Sequence, residues 1–547
     1  MPTSFIVKTK LLFSTLVILW MVFIVSAVRN STLDNQVSYV RRQAHYLDYK
    51  LEYNKDHQGD FSLAEVVPLL TSVFKSPESI ATATTTAGEI VGIPVLVYHG
   101  IVDEVDRFSL TPDSFKNQMF ALKEAGYETI GIEDFHAFLK GEEVKIPEKP
   151  FLLTFDDGRR DSYESADPVL QALGWKAVMF VATEQSFGED ENNYYLKESQ
   201  AKNMLESGRW EIQSHAVQTL GGFIPVNENN DKGNLLSSRM WLPDEKRIET
   251  EEEFRARVEK ELVSSKETLE RLFGKKVSAF AYPFGDYGNQ TINAEGIAED
   301  AVRDSVSRNY EVAFRQTWPE DNYFTFNYMD EDLYRLKRVE VSPLWSGEEL
   351  VAFLNRSEPK SLPYSDSLTT DQGWKNERGT LSFDENGLHL KVDDGRTGSF
   401  TFLDGTRFWR DYLYTVKTIQ SPESYLTLYA RYQSSDNYVS CTFGENLVRI
   451  DERVESSSRV MNELDDALNP LPNTTYAIRV RDNEVSCYER GILVASASGI
   501  NGKLSSGGIG FRIWKEAAGE GALTITELEV EPENQMTITG FSLPSFR

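Results

Sequence analysis

Two adjacent aspartates, Asp156 and Asp157, close the apolar run Leu152-Leu153-Thr154-Phe155 and are followed at once by Gly158. Side chains of an extended chain alternate in direction, so consecutive carboxylates diverge and can take different tasks, one on a metal and one on a proton. Three further runs share this plan. Trp210-Glu211-Ile212-Gln213-Ser214 ends on His215, Pro94-Val95-Leu96-Val97-Tyr98 ends on His99, and Ser278-Ala279-Phe280-Ala281 opens onto Tyr282-Pro283-Phe284-Gly285-Asp286. An Asp-Asp-Gly triplet alone is a common turn, and a lone histidine is more often structural than functional. Two histidines and an aspartate pair at the ends of separate strands make coincidence a poor explanation.

The elements around these residues fit that reading. Short β-rich runs (Pro94–Tyr98, Phe151–Phe155, Ala177–Ala182, Ser278–Tyr282) alternate with helical stretches over Thr111–Ala125, Tyr163–Leu173 and Glu251–Phe273. Strand–helix alternation at this spacing predicts an α/β domain, a parallel sheet or barrel, over residues 93–355. Such domains place their sites at the C-terminal ends of the strands. Residues 356–375 hold two prolines and many small polar residues and read as a linker. Beyond them the pattern has period two. Strands are expected over Ser399–Leu403, Tyr425–Tyr432, Tyr438–Phe443, Tyr476–Arg481, Glu484–Glu489, Ile492–Ala497, Gly508–Trp514 and Leu523–Val530, with turns at Asp482-Asn483 and Arg490-Gly491. Many strands without helices predict a β-sandwich over 376–533, followed by a tail, 534–547.

At the other end, Leu11–Val28 is an 18-residue run without a charge, preceded by Lys8 and Lys10. Its length suits a membrane-spanning helix, and the lysines favour a cytoplasmic tip, so residues 1–29 are expected as an anchor with everything after them exported. Val25-Ser26-Ala27 keeps a cleaved signal peptide open as the alternative. Either way the body lies outside the cytoplasm, periplasmic or at the cell surface. Residues 30–92 are expected as a stalk, with a helix near Leu63–Phe74 and a flexible tract at Ser79–Thr86. The 547-residue chain has a formal net charge of −28. That balance argues against a nucleic-acid or anionic-membrane surface and is compatible with a neutral glycan. Its two cysteines, Cys441 and Cys487, can form a disulfide or remain as buried thiols.

With these motifs in place, residues 93–355 resemble a NodB-type polysaccharide deacetylase of carbohydrate esterase family 4, within it the poly-N-acetylglucosamine de-N-acetylases of biofilm systems. Thr154-Phe155-Asp156-Asp157-Gly158 matches the first family motif, and Gly208–His215 matches the run into the second. Ala281-Tyr282-Pro283-Phe284-Gly285 resembles the third, in the form without its arginine. Val95–His99 fits the place of a histidine motif that this subgroup carries early in the domain by circular permutation. The resemblance implies a deformed (β/α) barrel and metal-dependent amide hydrolysis of an N-acetylated polysaccharide, with possible export or biofilm partners. It implies Asp157 and His215 as ligands of a divalent cation, often zinc, Asp156 as general base and His99 as general acid. The backbone N–H of Phe284 would help hold the oxyanion. Tyr282, Pro283 and Arg338, in Arg335-Leu336-Lys337-Arg338-Val339, would neighbour the substrate. The second domain resembles a concanavalin/laminin-G jelly roll, with Trp409, Trp514 and Tyr432 as aromatics that could meet a sugar.

One departure stands out. The family's second motif supplies another histidine four or five residues after His215, where this chain has Thr219 and Leu220. The remaining histidines are His45, His57, His136 and His389, and none falls in a motif. Two readings follow: a deacetylase that works with Asp157, His215 and water or Gln218 or Thr219, or a glycan-binding scaffold of a polysaccharide or biofilm assembly. O-deacetylation is a third, which the same chemistry permits.

Overall fold

The computed structural model describes residues 33–58, 85–86, 91–188, 193–218, 222–329, 331–393, 398–420, 424–465, 473–515 and 521–533. The expected anchor at Leu11–Val28, the helix expected near Leu63–Phe74, the positions of Thr219 and Leu220, and the tail lie outside these residues. Among the described residues, no helix is long and apolar enough to cross a membrane.

The chain divides into two units. The first is built on seven strands: β1 (Val95–Tyr98), β2 (Lys149–Phe155), β3 (Ala177–Val181), β4 (Trp210–Ser214), β5 (Ala279–Ala281), β6 (Val312–Thr317) and β7 (Leu336–Glu340). All are parallel and pair in chain order, and β7 pairs back onto β1, so the sheet closes into a barrel. The strands are buried on both faces, which is why their sequences read as nearly continuous apolar runs. Val95, Leu152, Phe180, Ala281, Phe314 and Leu336 share one core with Ile132, Phe135 and Phe138 of the helix Ile132–Leu139. That helix sits at the strands' N-terminal end, where Glu211 of β4 accepts a bond from Ile132 N–H at 3.2 Å. The opposite end is left for the site.

The helices return the chain between strands, and their ends are written in the sequence. Glu251–Phe273 begins with a capping box between Thr250 and Glu253 and stops at Gly274, whose φ of 62° costs a glycine little. A further helix, Leu33–Gln58, lies inside the segment expected as a stalk. It packs on the barrel helix Arg160–Leu173: Ser38 bonds Glu164 at 2.6 Å, Lys50 bonds Ala172 O at 2.7 Å, and the Arg42 guanidinium lies 4.4 Å from the Tyr163 ring centre. Residues 33–58 are therefore part of the barrel unit rather than a free spacer.

The second unit holds two antiparallel sheets. One joins Thr380–Asp384, Gly387–Lys391, Ala522–Pro532, Tyr412–Gln420, Asn473–Arg481, Glu484–Glu489 and Ile492–Ser498, with Tyr364–Asp366 on the side. The other joins Trp374–Arg378, Gly398–Leu403, Gly508–Trp514, Tyr425–Ser434, Asn437–Gly444, Leu447–Val454 and Ser457–Asp465. Two boundaries differ from expectation. Tyr364–Asp366, in the expected linker, is a strand paired with Ala522–Pro532. Trp318–Tyr328, expected in the barrel domain, belongs to the sandwich unit, where Thr325 Oγ1 bonds Asp404 at 2.6 Å and Phe324 packs on Phe402.

Cys441 and Cys487 form a disulfide with Cα atoms 5.9 Å apart, joining the two sheets through the core. The bridge closes a 46-residue separation. Its reduction should lower the unfolding free energy of the sandwich by about 2–4 kcal/mol. Denaturant titrations with and without reductant test this, and an unchanged midpoint would count against it.

Candidate active site

Period two carries polar groups into the barrel. Leu152, Thr154 and Asp156 form one inward row, and Leu336, Arg338 and Glu340 form another. Arg338, with no exposed side-chain surface, meets Asp156 as a fork: Nη1 to Oδ1 at 2.5 Å and Nη2 to Oδ2 at 2.8 Å. Its guanidinium also lies 5.0 Å from the Phe180 ring centre. Arg338 is therefore not offered to a substrate, contrary to what the resemblance implied; it is buried and holds the aspartate.

His99, directly after β1, places Nε2 3.9 Å from Asp156 Oδ2. Its Nδ1 lies 3.2 Å from Glu340, which in turn accepts a bond from Gln316 Nε2 at 2.8 Å. His215, directly after β4, turns Nδ1 to the Ala281 carbonyl at 2.8 Å. Its Nε2 is left 3.6 Å from Asp157 Oδ1 and 3.8 Å from Asp156 Oδ2. The ladder continues into the site, with Asp156 N–H on Tyr98 O at 3.1 Å and His215 N–H on Val181 O at 3.0 Å. Asp156, Asp157, His99 and His215 thus converge at the C-terminal ends of three barrel strands.

Three non-glycine residues at these strand ends hold left-handed backbone: Asp157 at φ 69°, Ala216 at φ 67° and Phe284 at φ 59°. Each such residue costs roughly 1–3 kcal/mol, a strain that clusters at functional sites. At Asp157 the turn sends the second carboxylate outward, 29% exposed, while Asp156 stays 2% exposed. The third motif is tied in through the Ala281 carbonyl held by His215. Tyr282 is buried with its hydroxyl on Tyr334 O at 2.9 Å, and Pro283 is buried as well, so these two shape the site without offering side chains to a substrate. Phe284 projects its ring outward beside Phe223.

The electrostatics separate two proton-carrying groups. Burial alone would raise the Asp156 carboxyl, but the charges of Arg338 and His215 and the Arg338 bonds hold it at about 2. Burial alone would lower His99, but the charge and hydrogen bond of Glu340, with Asp156 and Asp157 behind it, raise it to about 9. Asp156 is therefore an anion and His99 a cation at neutral pH.

The donor chemistry suits a divalent cation in part. With Nδ1 on a carbonyl, His215 presents Nε2 toward Asp157, the orientation that metal-binding histidines take. Among the described residues, however, no group of three His, Cys, Asp or Glu side chains is placed to hold a metal, and a catalytic zinc site normally uses three protein ligands. Gln218 does not replace the third: its side chain donates to Glu184, and its N–H, with that of Val217, donates to Glu261 at 2.9 and 2.8 Å. His136 is buried against Glu311, on the helix at the other end of the barrel.

Glu340 escaped the sequence reading, which named Arg338 but not its role as the counter-ion of Asp156. The signal was available as two opposite charges spaced by two, and so on one face, in Leu336-Lys337-Arg338-Val339-Glu340.

With this geometry, the first unit is a parallel barrel with two carboxylates and two imidazoles gathered at one end. Residues 143–298 match the family model described as polysaccharide deacetylase, a likeness that supports a hydrolase in that part of the chain. A Bacillus subtilis protein, YxkH, is 26% identical over 264 residues, 48% of this chain and 76% of its own length. The poly-beta-1,6-N-acetyl-D-glucosamine N-deacetylase of Escherichia coli K12 is 28% identical over 229 residues, 39% of this chain but only 32% of that enzyme. A solved de-N-acetylase from Aggregatibacter actinomycetemcomitans aligns with 48% of this chain and 99% of its own, at 20% identity and a TM-score of 0.40.

Two outcomes follow from the charge pairs. Replacing Arg338 by Met strands a buried carboxylate and should cost about 3–5 kcal/mol in denaturant unfolding, most of it recovered when Asp156→Asn is added; a double-variant loss equal to the sum of the two single losses would show the two residues uncoupled. Replacing Glu340 by Gln removes the main force holding His99 protonated, so its pKa should fall from about 9 toward the ordinary 6.5. The protonated acid would then be lost at lower pH, moving the alkaline limb of kcat/KM to lower pH. An unmoved limb would count against His99 as the acid.

Proposed function

We propose that the chain hydrolyses N-acetyl groups of an extracytoplasmic polysaccharide, the observation carrying this being the convergence of Asp156, Asp157, His99 and His215 at one end of the barrel, with His99 Nε2 3.9 Å from Asp156 Oδ2. Asp156 receives the proton of the attacking water, and His99 gives one to the leaving amine. An aspartate held at about 2 is a weak base by itself, so the water must be made more acidic. A divalent cation held by Asp157 and His215, with zinc the first choice, would do that and polarise the acetyl carbonyl. The N–H of Phe284 is our candidate for the oxyanion, and Arg338 keeps both Asp156 oxygens aimed.

The substrate class rests on the family match and on the named activity of the E. coli relative. Export rests on the apolar run after Lys8 and Lys10 and is supported by the disulfide, a bond that persists in oxidising compartments. Such a protein would be anchored by one membrane span and would work beside polysaccharide export or biofilm components. The two-ligand metal set favours a second reading, a glycan-binding scaffold without turnover.

The full chain should release acetate from N-acetylglucosamine oligomers once zinc, cobalt or nickel is added, and Asp156→Asn should reduce the rate by about a hundredfold or more. Release unaffected by Asp156→Asn would remove the base assignment. No release with any of the three metals would favour the scaffold.

A further inference from the structure

The sandwich unit has a large cavity that the deacetylase reading does not use. On the sheet containing Tyr425–Ser434 and Gly508–Trp514, one set of alternating residues fills the core: Leu426, Leu428, Phe511 and Ile513. The opposite set faces away from that core and carries rings. Phe400 and Tyr429, 7% and 6% exposed, and the half-buried Tyr438 at the rim interlock edge to face, with centroids 4.9 and 4.8 Å apart, and line a groove of about 890 Å³. This volume lies in the range of small-molecule and sugar sites.

The groove's charges narrow the ligand. Three arginines, Arg378, Arg453 and Arg512, are matched by three carboxylates, Glu377, Asp393 and Asp436. A polyanion would want a cationic excess, which is absent. The carboxylates are interleaved with arginines, so a metal ion is disfavoured, and an apolar ligand would strand the polar walls unpaired. Arg453 bonds Asp436 at 3.1 Å, so the charges of the walls are paired with one another. Hydroxyls both donate and accept, which suits walls of both signs, while the C–H face of a sugar ring suits an aromatic floor.

We infer that this groove is a second saccharide site, on the sandwich unit, that takes an uncharged oligosaccharide. It holds glycan without acting on it, and it stands whether or not the barrel deacetylates. The sequence reading pointed to other aromatics. Of those, Tyr432 lines this groove beside Phe400, whereas Trp409 is buried elsewhere and Trp514 stacks on Tyr425 at 4.2 Å.

The test uses the full chain carrying Asp156→Asn, so that nothing turns over, in calorimetric titrations. The probes are pentasaccharides of β-1,4-glucose and of β-1,4- and β-1,6-linked N-acetylglucosamine, with pentameric glucosamine and galacturonate as cationic and anionic contrasts. At least one neutral pentasaccharide should bind better than both charged ones. Tyr438→Ala on the half-exposed rim, and separately Arg512→Ala, should each raise its Kd about tenfold without moving the thermal midpoint. Tyr438→Phe, which keeps the ring, supplies the conservative comparison if either alanine variant fails to fold, and should retain most of the binding. Preference for a charged probe, binding unchanged in the variants, or no binding by any probe would each overturn the inference.

Discussion

A guanidinium and a carboxylate taken from water into a barrel interior each lose several kcal/mol of hydration, and only close, well-directed contact with one another returns it. The Arg338–Asp156 fork is such a contact, with neither side chain more than 2% exposed. The rest of the site is arranged around it. Asp156 is fixed by both oxygens, so its remaining directions face His99 and His215. Its negative charge, with that of Glu340, is what keeps a buried imidazole protonated. Without the fork, the carboxylate would take up a proton to escape burial, and the separation of acid from base would be lost.

The barrel gives this pair its stage. Parallel strands whose inward residues alternate in layers bring Thr154 and Asp156 of β2 beside Arg338 and Glu340 of β7 through β1, which pairs with both. The ladder bonds of Asp156 and His215 hold the backbone rigid up to the reacting residues. Left-handed turns at Asp157, Ala216 and Phe284 then redirect the chain within one residue. Adjacent aspartates consequently differ in kind: one is a buried anion, the other an exposed ligand candidate.

The sandwich follows a different logic. Its core is joined by a buried bridge between sheets, so its outer face is free to carry side chains that packing does not require. Rings and paired charges on that face line a groove that the core itself does not need. The two units thus divide labour in the reading offered here, one for bond cleavage and one for holding glycan.

Much of this was legible in the residues. The strands β1 to β5, the helix Glu251–Phe273 and the placing of His99, Asp156, Asp157 and His215 at strand ends follow from hydrophobic runs and from side-chain alternation, both local properties. So does the sandwich, although several of its strands, among them Trp374–Arg378, Thr380–Asp384, Gly387–Lys391, Tyr412–Gln420, Leu447–Val454 and Ser457–Asp465, were not expected, their polar outward residues diluting the apolar signal. What the sequence could not rank was the worth of individual residues. Trp409 looked available and is buried, and Gln218 looked like a spare ligand and is committed elsewhere. Arg338 looked like a substrate neighbour and is the counter-ion of Asp156, 182 residues away. Charge pairing, burial and the joining of Cys441 to Cys487 depend on which distant strands become neighbours. Local periodicity sets which face a side chain takes, but only closure of the barrel and stacking of the sheets decide what that face meets.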